Sequence, residues 1–492
     1  MNSIRTELVP SKEKMMGWIT AIFNQGIRRP GYPANYRVEN WVKEQLENLG
    51  LQDIKLDPVP IRKWEAETGN LRIWPVGKPD QAMDIPGFPL PYSRATDGVE
   101  AELRMISATR ELAGKIAVYN MEFVNLPARL LKLWSKRYYD PGNEFRTLNQ
   151  MLPFGVLGGR AMEPAMNANA SAFIGILSNY PGETHDYYVP YDAVTRDLPG
   201  VWVSPNNGKK ILELMDKGSV SAKVSYQGGI SDSVSHNILA SLPGMSEEWV
   251  VIGTHHDGPW SSAVEDASGM ALVLAQAEYW SQIPREQRPH NILFLMNCGH
   301  MSGGAGAKAF VERNAAFLEK IVAAIHLEHV AVEVKSENGK LAPTDEPVVR
   351  WWFTSRITPL EEITENAFAT EGLRRSIVMP PDGFPPGGKN PPTDAAAYHL
   401  VAVPVPFVSL LAAPVYLFDS ADTLDKIHQE SLEPLTRAVI RIVNALKGHT
   451  AHGLRQKVRR TLADKLGLRA LLRHISMLLI KYWPMNRMLY RK

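Results

Sequence analysis

The feature that most constrains the fold is an alternation of strand-like and helix-like segments between Asn237 and Leu446. The apolar segments 237–242, 249–253, 291–297, 321–334 and 405–410 are separated by amphipathic segments at 268–280, 305–314 and 359–371, and a further one follows at 431–446. Such alternation is typical of a mostly parallel sheet with helices on both faces. Residues 35–50 predict another helix, capped by Asn35 and ended by Gly50. We therefore expect an α/β fold.

A second pattern interrupts the first between residues 96 and 232. Short strands are predicted at 114–119, 170–177, 198–203 and 222–226, with one helix at 207–215. This spacing indicates a compact, β-rich insert with a core of its own. The predicted domains are residues 1–95 and 233–450 for the α/β domain, 96–232 for the insert and 451–492 for a C-terminal tail.

Composition limits the cellular setting. A chain of 492 residues is too long for one ordinary core. The single cysteine, Cys298, excludes an intrachain disulfide and a cysteine-based zinc cluster, and it fits a reducing compartment. The charged N-terminus does not read as a signal peptide, and no run reaches the roughly 18 apolar residues of a membrane span. We expect a cytoplasmic protein.

The tail is strongly basic. From Gly453 onward, eleven Lys and Arg residues stand against one acid, which gives +10 against −8 for the rest of the chain. Leucine and isoleucine are interspersed among these charges. Three interpretations remain open: a helix on an anionic membrane surface, contact with a partner helix or nucleic acid, and a basic helix whose apolar side packs on the body. Of these interpretations we retain peripheral contact with a membrane. We expect no specific nucleic-acid partner. The oligomeric state is not predicted.

The chemistry-bearing residues cluster after the strand at 249–253. His255, His256 and Asp257 come at its end, and Glu265 and Asp266 precede the small-residue turn Ala267-Ser268-Gly269. Imidazoles and carboxylates at the carboxyl end of a strand are how open α/β sheets build metal sites.

These residues, with Asn237-Ile238-Leu239-Ala240, Gly244 and the segment 422–427, resemble the di-zinc aminopeptidase family. That family also contains glutamate carboxypeptidase, glutaminyl cyclase and the transferrin receptor, and residues 96–232 resemble its protease-associated domain. The resemblance extends from about residue 26 to residue 446 and implies a zinc-aminopeptidase-like fold. It also implies one or two Zn²⁺ ions and a peptide or other amide substrate.

The resemblance assigns three metal ligands and their neighbours. His255 is the first ligand, and Asp257 orients its ring. Glu265 stands where the family has a bridging aspartate, although Asp266 could serve instead. Glu328 stands where the family has an aspartate at the end of a strand. Strand alternation places His326 and Glu328 on one face and His329 on the other.

Three positions depart from the family pattern. His300 and Met301 stand where two adjacent glutamates, a general base and a ligand, are expected, and Ala395 after Asp394 replaces a ligand histidine. His300 can accept a proton, bind metal or be a buried polar residue of the core. His399, one helical turn beyond Ala395, can restore a ligand or lie on a helix surface.

Two functions follow from these assignments. The first is a metal-dependent hydrolase in which His255, Glu265 and Glu328 hold a single ion and His300 is the base. The alternative is a catalytically inactive relative that keeps the fold for binding or assembly, which the loss of ligands at Met301 and Ala395 favours.

Overall fold

A nine-stranded mixed sheet forms the centre of the protein. The computed structural model describes residues 4–67, 69–107, 111–153, 162–382 and 391–459. In spatial order the strands of the sheet are Gln52–Ala66, Gly228–Leu242, Asn291–Asn297, Trp249–His255, Ile321–Leu327, Phe407–Ala412, Arg350–Thr354, Ser376–Met379 and Tyr138–Tyr139. The four strands from Asn291–Asn297 to Phe407–Ala412 run parallel, and antiparallel pairs flank them. The expected α/β fold is confirmed, and Arg350–Thr354 and Ser376–Met379 form a further parallel pair near one edge.

Helices cover both faces of this sheet, because its central strands are apolar on both sides. Val250 and Ile252 belong to one hydrophobic core and Val251 to the other. Successive side chains of a strand point to opposite faces, so a strand covered on both sides must be apolar throughout. Within the described residues, the α-helices are Lys12–Phe23, Pro33–Asn48, Glu163–Asn167, Pro205–Lys217, Gly269–Ser281, Ala305–Arg313, Ala315–Leu318, Thr358–Thr370, Ala396–Leu400, Leu432–Ala445 and Ala451–Arg455.

A closed barrel is formed by residues between Gln52–Ala66 and Gly228–Leu242, the first two strands of the sheet in spatial order. Its strands, in spatial order, are Gly200–Val203, Met83–Pro89, Gly69–Pro75, Val220–Tyr226, Thr96–Met105, Ile116–Met121 and Ala172–Leu177. It encloses its own core, which includes Leu71, Ile174 and Val224. The barrel begins at Gly69, upstream of the predicted boundary at residue 96, and its likeness to a protease-associated domain stays a prediction. Two small sheets complete the strands of the described residues: Asn125–Pro127 with Asn149–Met151, and Val332–Glu337 with Lys340–Pro347.

The second helix begins earlier than the sequence suggests. It starts at Pro33 after Tyr32, so the predicted N-cap Asn35 lies inside the first turn. Proline favours this position because its missing N–H would have no partner there. The prediction of Asn35 as a cap was therefore wrong. Its buried amide instead lies 3.1 Å from His256 Nδ1 and accepts a hydrogen bond from Ser235 Oγ.

The predicted tail falls mostly outside the described residues, which end at Arg459. Its first part forms the short helix Ala451–Arg455. Among the described residues, no helix has the length and apolar character needed to cross a membrane.

Candidate metal centre

The candidate centre lies at the carboxyl edge of the parallel strands. His255 is the last residue of its strand, and Glu328 follows the strand that ends at Leu327. Parallel strands deliver the residues at their carboxyl ends to one edge of a sheet. His255 and Glu265 are 0% and 1% exposed, so the centre is buried.

Three of the predicted residues come together. His255 Nε2 lies 3.3 Å from Glu265 Oε1, and His300 Nε2 lies 4.0 Å from the same oxygen. Ligand atoms of the three residues all lie within 4.8 Å of one another. His255 Nε2 and Glu265 Oε1 are buried without a well-formed hydrogen bond to any described residue. Buried polar atoms are normally satisfied, so these two atoms indicate a missing ligand.

The other ring nitrogen of each histidine is already engaged. Nδ1 of His255 lies 3.0 Å from the backbone oxygen of Asp257, and Nδ1 of His300 lies 2.8 Å from Asp394 Oδ1. When Nδ1 donates to an oxygen, the lone pair of the neutral ring is on Nε2. Histidines that bind metals in proteins are held in this way. The arrangement presents two Nε2 atoms and Glu265 Oε1 to one point.

Aromatic contacts and backbone hydrogen bonds fix His300. Its ring lies parallel to that of His255, with the centroids 4.1 Å apart, and the ring of Tyr191 stacks on it at 5.6 Å. The carboxylate of Asp257 accepts hydrogen bonds from the backbone N–H groups of His300 (3.1 Å) and Met301 (2.7 Å). Asp257 therefore holds the turn that carries His300, in addition to contacting His255.

The loop that carries Glu265 is held from two sides. The buried guanidinium of Arg28 donates to the backbone oxygens of His256, Ser262 and Glu265 at 3.3, 3.0 and 3.3 Å. The carboxylate of Asp422 accepts the backbone N–H of Glu265 at 2.9 Å. These bonds satisfy loop groups that would otherwise be buried and unpaired. They fix the backbone that carries the Glu265 side chain.

The carboxylate of Asp266 is held by hydrogen bonds from the protein. Its carboxylate accepts hydrogen bonds from Thr254 Oγ1, from the backbone N–H of Gly269 (3.1 Å) and from that of His329 (3.2 Å). Burial raises the pKa of Asp266 to about 6. Asp266 Oδ2 lies 4.0 Å from His255 Nε2, farther than Glu265 Oε1 at 3.3 Å.

The segment after the Ile321–Leu327 strand differs from its prediction. The strand ends at Leu327, and His329 adopts a left-handed φ of +61°, so strand alternation does not extend to residue 329. Assigning His329 to the opposite face was therefore wrong, because its Nε2 forms a close ion pair with Glu265 Oε2. Glu328 Oε1 lies 2.8 Å from His326 Nε2. Glu328 is not part of the three-residue group around Glu265 Oε1.

The remaining predicted positions lie at the margin of the centre. The Met301 and Ala395 side chains are buried in apolar cores. His399 is in the Ala396–Leu400 helix, with its ring 6.0 Å from that of Phe407, and it does not join the three-residue group. A cavity of about 550 Å³ adjoins the centre, lined in part by Tyr191, His300 and Asp394.

The charged groups at the centre stabilise a positive charge on its imidazoles. Burial and His300 lower the pKa of His255, but Glu265 and Asp266 outweigh them and raise it to about 9. Burial raises the pKa of Glu265, yet His329 and His255 hold it well below its usual range. The same balance lowers the pKa of Asp394 to about 2, because His300 outweighs burial. Surroundings that stabilise a protonated imidazole also stabilise a metal cation, which competes with protons for the same nitrogens.

The residues present fit a zinc ion. Zinc binds imidazole nitrogen and carboxylate oxygen at about 2.0–2.2 Å, and three protein ligands suffice for a catalytic site. Two imidazoles and one carboxylate, with Asp257 and Asp394 beside the imidazoles, provide that set.

Sequence reasoning missed several contributors. Arg28 and Asp422 act through backbone atoms of the Glu265 loop, and no spacing rule relates them to it. His326 and His329 were placed on strand faces but not assigned to the centre. The signal that could have found them was the density of ionisable side chains from 326 to 329, where an unpaired buried charge is costly.

A mixed sheet with histidines and carboxylates at its carboxyl edge defines the class of zinc-aminopeptidase-like α/β proteins. Residues 237–443 match Peptidase family M28. The matched residues include the strands and loops that carry the centre. This match confirms the resemblance to the di-zinc aminopeptidase family. The match supports a metal-dependent peptidase function. A comparison with curated proteins gives no match.

Solved structures share the fold along nearly the whole chain. A peptidase M28 precursor from Shewanella amazonensis is 19% identical, with a TM-score of 0.65 over 91% of this chain and 95% of that one. A zinc aminopeptidase from Bacillus subtilis is 14% identical, with a TM-score of 0.61 over 92% and 98%. An aminopeptidase from Aneurinibacillus sp. is 17% identical, with a TM-score of 0.59 over 93% and 96%. At these identities the likeness concerns the fold.

Proposed function

We propose that the protein is a metal-dependent hydrolase of the aminopeptidase type that cleaves a peptide or another amide bond. In this proposal His255, Glu265 and His300 hold one zinc ion. The observation that carries it is the convergence of their ligand atoms on a buried point where His255 Nε2 and Glu265 Oε1 lack a well-formed hydrogen bond within the described part of the chain. The hydrogen bonds at both Nδ1 atoms make His300 a better ligand than a base, which revises its predicted role.

The other groups position these ligands. A zinc ion in such a centre supplies Lewis-acid activation of an amide carbonyl. Asp394 holds the His300 ring through Nδ1, and Arg28 holds the loop of Glu265. The cavity beside Tyr191 and His300 gives a substrate access to the centre. Glu328 remains a candidate fourth ligand, because its carboxylate is buried. It contacts His326, which is not one of the three proposed ligands.

Metal binding tests this proposal first. Zinc content after equilibrium dialysis of the purified protein should approach one ion per chain, and His255→Ala or Glu265→Gln should abolish it. The matched control is His452→Asn, at an exposed histidine of the last described helix. Aminoacyl and peptide substrates should then be hydrolysed in the presence of Zn²⁺, Mn²⁺ or Co²⁺. Stoichiometric binding of none of these ions would refute the proposal.

One observation favours a second candidate, a non-catalytic member of the fold. The contacts of His329 with Glu265 and of His326 with Glu328 give both carboxylates an imidazole partner without any metal. This candidate predicts no turnover of aminoacyl or peptide substrates with any added ion, while the fold stays intact. Hydrolysis that is lost in His300→Ala would exclude it.

For the tail we propose peripheral contact with anionic membranes, which its charge of +10 and its interspersed apolar residues support. Full-length protein should cosediment with vesicles of phosphatidylserine and phosphatidylcholine, and binding should weaken as salt is raised. Equal binding by a variant truncated after Arg459 would remove this proposal.

A further inference from the structure

Apolar side chains face outward on one short 3₁₀ helix, Ala128–Leu133. Such a helix has three residues in each turn, so residues three apart lie on the same side. Ala128 and Leu131 are buried on the inner side. Leu130 and Leu133 lie on the outer side and are 36% and 75% exposed. The exposed fraction of Leu133 exceeds that of every other large apolar side chain in the described part of the chain.

Basic and aromatic side chains surround these leucines. The stretch from residue 123 to residue 139 contains no acid and four basic residues, which are Arg129, Lys132, Lys136 and Arg137. In the same stretch Trp134 is partly exposed and Tyr138 is exposed. Leucine, tryptophan and tyrosine among lysine and arginine are typical of surfaces that lie in the interface of an anionic bilayer.

We propose that this surface binds an anionic lipid bilayer and that the Leu133 side chain inserts below the headgroups. The surface, termed the basic-apolar patch, consists of Arg129, Leu130, Leu133, Trp134, Lys136 and Tyr138. The proposal goes beyond the contact proposed for the tail, because the patch is part of the body and is built from described residues. It does not depend on zinc or on peptidase activity.

The patch is held in a fixed conformation. Lys132 Nζ lies 3.3 Å from Asp140 Oδ2 and 4.4 Å from the ring centroid of Tyr138. Leu131, on the inner side of the 3₁₀ helix, belongs to the same hydrophobic core as Phe145. A segment that is already ordered loses little conformational entropy when it binds. The apolar area of the exposed leucines is therefore available for binding without prior folding of the segment.

The patch adjoins the place where the basic tail leaves the described body. Arg137, which lies within the patch segment, places Nε 3.6 Å from Glu361 Oε2. Arg459, the last described residue, places Nη2 2.5 Å from Glu361 Oε1. One carboxylate thus joins the patch segment to the root of the tail. A bilayer can contact both at once, and this continuity favours lipid as the partner of the patch.

A fluorescent label at residue 133 tests the proposal in the full chain. The native cysteine, Cys298, is buried, so Leu133→Cys provides one accessible thiol for an environment-sensitive fluorophore. Vesicles of phosphatidylserine and phosphatidylcholine should shift the emission to the blue, and a quencher in the acyl chains should reduce its intensity. Vesicles of phosphatidylcholine alone should do neither. Val76→Cys, at an exposed apolar residue of the barrel, is the matched control, and its label should not respond.

Two substitutions measure how much the patch contributes to affinity. Leu133→Ser should weaken cosedimentation with the anionic vesicles by about ten-fold, because most of the apolar side chain is removed. Lys136→Gln should weaken it by about five-fold at low salt, and this difference should shrink as salt is raised. Met245→Ser replaces an apolar side chain of similar exposure, 63%, and should bind as the wild type does.

The outcomes separate the patch from the tail and from the peptidase function. Vesicle binding with an unresponsive label at residue 133 would overturn the proposal and leave the contact to the tail. A blue shift that appears without vesicles and grows with protein concentration would indicate a protein contact and would also overturn it. Neither readout requires zinc or a substrate, so the failure of this proposal and that of the proposed hydrolase are distinguishable.

Discussion

The rings of His255 and His300 lie parallel, 4.1 Å apart, although His255 ends one strand and His300 follows the neighbouring strand Asn291–Asn297. Each ring is held at Nδ1 by an oxygen from a different segment, Asp257 for His255 and Asp394 for His300. Two stacked imidazoles that both present Nε2 to one carboxylate oxygen repel each other when both are protonated. A metal ion removes that repulsion because it is bound by the neutral rings.

Replacing Asp394 tests how much the orientation of His300 contributes. Asp394→Asn keeps the size of the side chain but removes the charge that fixes Nδ1–H, so zinc affinity should fall by about 10- to 100-fold. Isothermal titration with Zn²⁺ and a competing chelator measures the loss. Glu312→Gln is the control, since Glu312 is an exposed acid that lines the same cavity. An unchanged affinity in Asp394→Asn would contradict the assignment of His300 as a ligand.

Removing the charge of Arg28 should destabilise the protein and weaken metal binding together. Its guanidinium donates to several buried loop oxygens, so Arg28→Gln should lower the free energy of unfolding by about 3 kcal/mol. Denaturant unfolding and zinc titration measure the two effects. Arg37→Gln removes an exposed arginine that contacts Gln25 and should change neither quantity. A destabilised variant with wild-type zinc affinity would show that Arg28 does not position Glu265.

The barrel is sensitive to a single added methyl group. A Cβ at Gly175 would lie 2.1 Å from the ring of Trp202, so Gly175→Ala should cost about 1–3 kcal/mol by overpacking. At Gly17, in the first helix, an added Cβ would meet no described atom from another part of the chain within 4 Å. Gly17→Ala should therefore stabilise the protein by about 0.5–1 kcal/mol. Thermal unfolding of the two variants should shift in opposite directions.

We expect the protein to lose stability in acid because of His428. Burial, followed by Arg350, lowers the pKa of His428 to about 4 from 6.5. Between these values the unfolded chain binds a proton that the folded protein does not, so stability falls as pH decreases from 6.5 to 4. His428→Asn should flatten this part of the curve by about 1–2 kcal/mol. Unfolding at about pH 7.5 and about pH 5, on either side of the ordinary histidine pKa, measures the change, with His452→Asn as the exposed control.

The alternating segments after Asn237 predicted the sheet well, because strands covered on both faces must be apolar and leave a clear pattern. The helix at 268–280, for example, is observed as Gly269–Ser281. His255, Glu265 and His300 were also predicted to belong to one centre, through strand ends and family positions. The pairing of His329 with Glu265 could not be predicted, because it depends on where a strand ends and on one left-handed residue. The role of Arg28 depends on a contact across more than two hundred residues, which no local pattern encodes.

The antiparallel pair that joins Gln52–Ala66 to Gly228–Leu242 has a consequence for folding kinetics. Ala66 lies opposite Gly228, directly beside the point where the barrel leaves and rejoins the sheet. A barrel that folds first holds these two residues as neighbours, so the long pair closes like a hairpin with a small loss of loop entropy. The N-terminal segment with Arg28 is then delivered to the Glu265 loop at little further entropic cost. In that folding order the barrel would bring distant parts of the centre together without contributing a ligand to it.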